Sequence, residues 1–447
     1  MDRRKFLQSV GAGATAALCP RLARGAAPGP GEVRRTDLVP NLIFVLTDDL
    51  GFDLLSCYGS DQFKTPHVDA LAAEGIRFRF CHTSPVCIAS RAQFLAGQHP
   101  FRNDHIDGPV TKVPSELPSV ARVLKEAGYA TALDGKWMVN GRPSDWGFDE
   151  EDKTPGQRYW AGVGKDGKPL YKPDLMHDWA VWFIERNAHR PFFLWYSLHV
   201  PHADLSYTPD SAPETIAQSK DRNLDPKKRK AVQQTIMADN LAYMDKLIGK
   251  LMAELDRLKL REKTMVLFSG DNGTAGHFTI GGRRLAGAKR HMTDGGPAVP
   301  LIVRWPGTAP AGKVSDDLVG FEDFLPMFAD LAGAEMPKGH VSDGVSFSPQ
   351  LRGEKGKPQE TIFTQFQDQW FVRDQRRKLY HDGRLVDTSD YPFQEKLLPA
   401  DAEPEVRKRF QKVMDDLGVA KDMEGRAPWK LGGKMPTWSW PPPKTKP

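Results

Sequence analysis

A cysteine and an arginine four residues apart mark the first stretch with chemical potential, Ser84-Pro85-Val86-Cys87-Ile88-Ala89-Ser90-Arg91. It runs into a helical pattern over residues 88–96. A helix N-terminus favours negative charge, and residues four apart share a helix face. The pair therefore predicts an anion-handling corner with an acidified thiol at Cys87. A small buried thiol used only for packing is the plainer alternative. Asp48-Asp49 and Asp271-Asn272 supply hard oxygen ligands. Packed carboxylates repel one another unless a cation sits between them, and an all-oxygen set suits Ca²⁺ or Mg²⁺ rather than Zn²⁺. Each pair by itself is also ordinary loop and helix-start chemistry. Lys136, Lys289 and His202 add cationic or proton-donating groups, each unremarkable by itself.

Such residues act together only if the fold gathers them. Apolar runs at 40–47, 129–137, 191–200 and 264–270 predict strands. Helical spacing covers 66–76, 88–96, 117–128, 176–188 and about 227–258. Pro66 and Gly75 punctuate the first of these helices. Strands alternating with helices predict an α/β fold, a large and mainly parallel sheet sandwiched by helices. In such sheets the site lies at the carboxyl ends of the strands. Asp48-Asp49, Lys136, His202 and Asp271-Asn272 all fall at or just beyond such ends. From about residue 341 short strand-like runs alternate with turn residues, and a helix follows near 403–417. The expected organisation is a catalytic α/β domain over 38–340 and a smaller C-terminal α+β subdomain, an antiparallel sheet plus helix, over 341–430. A Pro-rich tail covers 431–447.

The 447 residues carry 62 Lys+Arg against 57 Asp+Glu, a net charge of +5 that is spread along the chain. There is no basic stripe and no nucleic-acid module, so no nucleic-acid partner is expected. The basic run Lys227-Lys228-Arg229-Lys230 reads as a solvated helix start. Arg3-Arg4 and the Gly/Ala-rich apolar stretch behind them, within residues 1–30, read as a twin-arginine export signal. That predicts a periplasmic or secreted protein. The apolar stretch is too short for a secure span, so no stable membrane anchor is expected. Cys19 follows Leu18, where a lipoprotein site wants a small residue. Removing the signal leaves Cys57, Cys81 and Cys87. In an oxidising compartment two of them could pair, with one left over.

Ordered blocks from about residue 40 to 395 resemble the formylglycine-dependent sulfatases of the alkaline phosphatase superfamily. They include NLIFVLTDDLG, TPHVDALAAEGIRF, CIASRAQFLAG, GKW, PFFLWYSLHVPH, FSGDNG, GAKRHMTDGG and DGVSFSPQLRG. The resemblance implies that a maturase oxidises Cys87 to formylglycine and that Arg91 holds that residue. It implies that Asp48, Asp49, Asp271 and Asn272 bind one divalent cation, usually Ca²⁺. Lys136 and Lys289 would contact the sulfate group, and His202 would protonate the leaving oxygen. A hydrated aldehyde carries two hydroxyls on one carbon, so one can attack sulfur and the other can later expel sulfate. Two positions depart from the family. Met138 stands where relatives carry a histidine that contacts the formylglycine hydrate, with His277 or His291 as candidate stand-ins. Ala89 stands where proline is commoner, which bears on the maturation route.

The expected activity is sulfuric ester hydrolysis on a sulfated carbohydrate or an aryl sulfate. Trp146, Tyr159 and Trp160 are candidate rim aromatics for a sugar. Two alternatives stand beside this reading. One is a phosphate or phosphonate ester hydrolase on the same scaffold. The other, kept open by Met138, is a non-catalytic binder of sulfated glycans.

Overall fold

The computed structural model describes residues 39–106, 117–154, 159–202 and 205–424. The expected export signal, Cys19 and the Pro-rich tail lie outside the described residues. The main sheet is built from β1 (Asn41–Thr47), β2 (Ile76–His82), β3 (Ala130–Gly135), β4 (Glu150–Glu151), β5 (Phe192–Leu198), β6 (Thr264–Gly270), β7 (Leu301–Arg304) and β8 (Lys313–Gly320). Their spatial order is β8-β2-β7-β6-β1-β5-β3-β4. β1 pairs in parallel with β5 and β6, β3 with β5 and β4, and β8 with β2. β7 runs antiparallel to both β2 and β6. The sheet is therefore mainly parallel, as expected.

β1 shows why the sheet needs cover on both sides. Its alternate residues Leu42, Phe44 and Leu46 enter one apolar core, while Ile43 and Val45 enter the other. Period-two side chains force this division, and a strand buried on both faces reads as an unbroken apolar run. One face is covered by α2 (Cys87–Ala96), α3 (Val120–Glu126) and α6 (Phe324–Ala332). The other is covered by α1 (Pro66–Ala73), α4 (Lys172–Asn187) and α5 (Pro226–Arg257).

A second, antiparallel sheet follows: β9 (Ile362–Phe366), β10 (Gln369–Arg373), β11 (Arg377–Tyr380), β12 (Leu385–Asp387) and β13 (Lys396–Leu397), with helix α7 (Pro404–Leu417). Phe363, Val372, Leu379 and Leu385 pack on Phe410 and Met414 of α7. Phe366, Phe371, Tyr380 and Val386 pack on Val86, Ala89 and Met292. The small sheet is thus wedged between α7 and the start of α2. Upstream of it, Phe347 and Leu351 still pack into the main core.

Cys57, Cys81 and Cys87 are all free, so the pairing open to two of them is not made. Among the described residues no helix is long and apolar enough to cross a membrane.

Candidate active site

Four parallel-running segments deliver the chemistry to one end of the sheet. Asp48 and Asp49 follow β1, Lys136 follows β3, Ser197 lies near the end of β5, and Asp271 and Asn272 follow β6. Asp49 adopts a left-handed backbone with φ 61°, which aspartate tolerates better than most residues. The Asp271 N–H donates to Thr47 O at 2.9 Å, and the Asp49 N–H donates to Asp271 Oδ1 at 3.1 Å. The two strand-end loops therefore register each other. Gly135 has φ 99°, and a Cβ there would lie 2.3 Å from Ser197 O. Only glycine lets the chain turn Lys136 in so close to the neighbouring strand. Gly273, at the other loop, is demanded by space alone, since a Cβ there would meet Gly295 O at 1.9 Å.

α2 supplies Cys87 and Arg91 from the loop side. Arg91 is fully buried. Its Nε and Nη2 donate to Asp271 Oδ2 at 3.0 and 2.8 Å, and its Nη1 donates to Lys136 O at 3.0 Å and Ser197 Oγ at 2.6 Å. One guanidinium thus ties three strand ends to the helix, as its planar fork allows. Cys87 Sγ lies 3.5 Å from Asp48 Oδ1 and 3.3 Å from Lys289 Nζ. Lys289 also donates to Asp49 Oδ1 at 2.5 Å, and Lys136 Nζ donates to Asp48 Oδ2. Asn272 Nδ2 donates to Asp49 Oδ1 at 2.8 Å, and His202 Nε2 lies 3.8 Å from Asp49 Oδ2. All nine residues expected to act on the ester or hold the cation join one contiguous network.

The network corrects one expectation. Arg91 does share a helix with Cys87, yet its guanidinium is committed to Asp271, Lys136 O and Ser197 rather than to sulfur. Burial, together with the Asp271 and Asp48 charges, pushes the Cys87 thiol up to about 12 instead of acidifying it. As a thiol, Cys87 is neutral and a weak nucleophile at neutral pH. Burial also pushes Asp48 up to about 7, with the Asp271 charge adding to it. Asp271 itself is held below the usual carboxylate range: burial works against ionisation, but Arg91, Lys136 and Lys289 outweigh it.

The residues fit a divalent cation. Ligand atoms of Asp48, Asp49, Cys87 and His202 all lie within 4.8 Å of one another. Asp49 Oδ2 and Asn272 Oδ1 are buried without a hydrogen-bond donor. Buried oxygens are rarely left so, and two such acceptors on residues joined by the Asn272–Asp49 hydrogen bond suit a cation. Asp271 is the least available of the expected ligands, since Asp49 N–H and Arg91 already engage both its oxygens.

Other expectations fare unevenly. Trp146 and Tyr159 are buried and do not form an open rim, and Trp160 is half-buried against Tyr171 and Tyr207. Met138 is exposed. Nδ1 of His291 accepts from Ala288 N–H at 2.8 Å, within its own loop. Ser197 is a site residue that sequence reasoning misses. A signal for it exists: it is the one hydroxyl in the apolar run Phe192-Phe193-Leu194-Trp195-Tyr196-Ser197-Leu198 that meets the site, donating to Lys136 O at 2.7 Å.

Comparison with known proteins matches the sulfatase family profile over residues 40–334. The profile described as N-sulphoglucosamine sulphohydrolase, C-terminal, matches residues 286–384. The N-acetylgalactosamine-6-sulfatase of Canis lupus familiaris is 30% identical over 364 residues, spanning 70% of this chain and 66% of the relative, just under two thirds of its length. The ulvan-active sulfatase of Formosa agariphila is 30% identical over 322 residues, spanning 70% of this chain and 58% of the relative. The solved structure of BT4656 in complex with its substrate D-glucosamine-2-N,6-O-disulfate shares the fold. Its TM-score is 0.69 at 23% identity, covering 87% of this chain and 99% of that one. The extent of the family match, on a chain whose strand ends gather this network, establishes that the protein belongs to the sulfatase family.

Proposed function

We propose that this protein hydrolyses sulfate esters, with a sulfated carbohydrate as the natural substrate and aryl sulfates as simple surrogates. The observation that carries the reading is the seat of Cys87, whose buried Sγ lies 3.3 Å from Lys289 Nζ and 3.5 Å from Asp48 Oδ1 among charged side chains. The carbohydrate preference follows the sugar-directed relatives, a sulfatase of N-acetylgalactosamine 6-sulfate type and a fold neighbour bound to a sulfated glucosamine.

Cys87 oxidised to formylglycine would supply, as a hydrate, an oxygen nucleophile and a second hydroxyl on the same carbon. Asp48, Asp49 and Asn272, with Asp271 behind them, would hold a divalent cation, Ca²⁺ by preference and Mg²⁺ as an alternative, which would lower the cost of negative charge beside Cys87. The remaining steps belong to the side chains present. Lys136, just past β3, and Lys289, in the loop before β7, both reach the carboxylates beside Cys87 and would bind two sulfuryl oxygens, offsetting the charge that grows there. Arg91 does not reach outward; it fixes Asp271 and the carbonyl of Lys136, and so sets where that lysine starts. His202 is half-buried beside Asp49 and would give its proton to the departing alcohol oxygen, the usual work of a general acid.

The reading carries three further elements: a formylglycine-generating maturase as a transient partner, Arg3-Arg4 as a twin-arginine export signal, and a periplasmic or secreted location. The deciding experiment is mass spectrometry of the Cys87 peptide from protein made with a maturase, paired with sulfate release from a panel of sugar and aryl esters. Aldehyde at Cys87 with sulfate release supports the proposal. An unmodified thiol in every preparation refutes the mechanism, and aldehyde without turnover points to a glycan binder.

A further inference from the structure

The loop that carries Lys289 closes on itself, since the Gly295 N–H donates to Ala286 O at 2.7 Å. Two of its contacts reach the site: Lys289 N–H donates to Thr274 O at 3.0 Å, and Arg290 N–H to Pro85 O at 2.9 Å, one residue before Val86. Its exit runs along β2 of the main sheet, where His82 pairs with Ala298 and lies 3.8 Å from Asp294 Oδ1, and its side-chain anchors lie on the small C-terminal sheet. At the neck of the loop, Asp294 Oδ1 accepts from Arg373 Nη1 at 2.8 Å and from Lys378 Nζ at 2.6 Å. Arg373 ends β10 and Lys378 lies in β11. Lys378 also donates to Glu395 Oε1 at 2.5 Å, and Tyr380 OH donates to Glu395 Oε2 at 2.6 Å. The same Tyr380 hydroxyl lies 3.3 Å from Met292 O in the loop, while the Met292 side chain packs among Phe366, Phe371, Tyr380 and Val386. Pro392 O receives Ala286 N–H at 3.0 Å.

Every charged member of this network is almost fully buried, from 0% for Arg373 and Lys378 to 2% for Glu395. Buried ion pairs are costly and seldom justified by stability alone. Their best-attested use is to fix one geometry among several, and this network fixes one loop to two strands of the C-terminal sheet, with His82 of β2 completing it at 3.2 Å from Arg373 Nη1.

We infer that Asp294 is a positioning residue for Lys289, and that the C-terminal sheet acts through it to hold the sulfate-gripping lysine at the Cys87 pocket. The inference rests on the reading of Lys289 as a sulfate contact. The loop has no regular secondary structure across Ala286–His291, so its placement must come from such anchors. Asp294 is held well below the usual carboxylate range: burial opposes its charge, but Arg373 and Lys378 prevail, so the anchor is ionised at working pH.

The test compares Asp294→Asn and Tyr380→Phe with Phe410→Leu, which loosens the opposite face of the same sheet. Two readouts are taken on each full-length protein: amide hydrogen exchange across residues 286–296, and inhibition by inorganic sulfate together with KM and kcat for an aryl sulfate. The expected result is faster exchange in the loop, with sulfate affinity and KM weakened roughly tenfold for Asp294→Asn, the scale of one charge-assisted contact. Phe410→Leu should leave both unchanged at an equal loss of thermal midpoint. Unaltered loop exchange in Asp294→Asn overturns the inference, as does an equal effect from Phe410→Leu. If Asp294→Asn does not fold, loop exchange in Tyr380→Phe decides in the same way. A native protein that releases no sulfate refutes the functional reading instead, and the exchange comparison still decides the anchor.

Discussion

Replacing Arg91 by lysine keeps the charge and removes the fork, and so isolates what the fork does. The native guanidinium satisfies Asp271 Oδ2 twice, Lys136 O and Ser197 Oγ at once, with no exposure to water. An ammonium on a shorter, single-point head can keep the Asp271 pair or reach towards Ser197, but not both. Lys136 O retains its bond from Ser197 Oγ, so that carbonyl is not orphaned. The loss is then one to two charge-assisted hydrogen bonds, about 1.5–6 kcal/mol in all, at ~1.5–3 kcal/mol for each such bond. Removing the charge altogether, as in Arg91→Met, breaks the direct pair with Asp271 and leaves only Lys136 and Lys289 to offset its charge, and about 3–5 kcal/mol is expected from breaking a buried pair. Urea unfolding followed by fluorescence measures the first quantity, and sulfate release from an aryl ester measures the catalytic effect. The expected order is native, then lysine, then methionine, with turnover falling in the same sequence because Lys136 loses its registration. If Arg91→Lys unfolds within 1 kcal/mol of native and turns over at the native rate, the claim that a planar fork locks three strand ends is wrong; that margin is the ordinary scatter of about ±0.5 kcal/mol for surface changes, doubled.

His202→Ala should slow turnover by about 10²–10⁴ while leaving the cation content measured by native mass spectrometry unchanged. The loss should shrink for esters of acidic phenols, which need no proton on departure, and a uniform loss across leaving groups would deny His202 the acid role. Dialysis against a chelator should abolish sulfate release and lower the thermal midpoint, with Ca²⁺ restoring both. A cation at 100 times its dissociation constant stabilises the fold by about 2.7 kcal/mol. Acid should weaken the fold through His82 and His99, two buried imidazoles that burial lowers from 6.5 to about 4. The unfolded chain binds the extra protons between those values, so this stability is complete above pH 6.5 and lost as pH falls through 4. At ~1.4 kcal/mol per pH unit each histidine contributes about 3 kcal/mol, and urea midpoints at pH 7 and pH 4.5 in His99→Gln against native would expose its share.

The strands that hold the candidate site residues are legible because they are buried on both faces. Asn41–Thr47, Phe192–Leu198 and Thr264–Gly270 each read as an unbroken apolar run, and each ends in polar residues that belong to the site. β2 and β8 escape for the opposite reason. β2 alternates as Ile76-Arg77-Phe78-Arg79-Phe80, and the edge strand β8 reads Lys313-Val314-Ser315-Asp316-Asp317, so neither offers a run. Among site residues, the carboxylates and lysines are visible by type and position. The direction of Arg91 is not, since helical spacing places it beside Cys87 while its long side chain follows the stronger attraction of Asp271. The height of the Cys87 pKa is equally hidden. It depends on burial and on Asp271, 184 residues away along the chain, which no local pattern encodes.

The pairing of β1 with β6 joins residues such as Thr47 and Gly270, more than 200 positions apart. Contacts of that span form late, because long loops must close before they are rewarded. Cys87 ends up 7% exposed beneath the elements that those contacts bring together. A side chain shut away in this manner is accessible to another enzyme chiefly while the centre of the sheet is still unassembled. The topology thus sets an expectation for biosynthesis: an enzyme that oxidises Cys87 should act on the newly made chain faster than on the folded protein, and equal modification of purified folded protein would refute it.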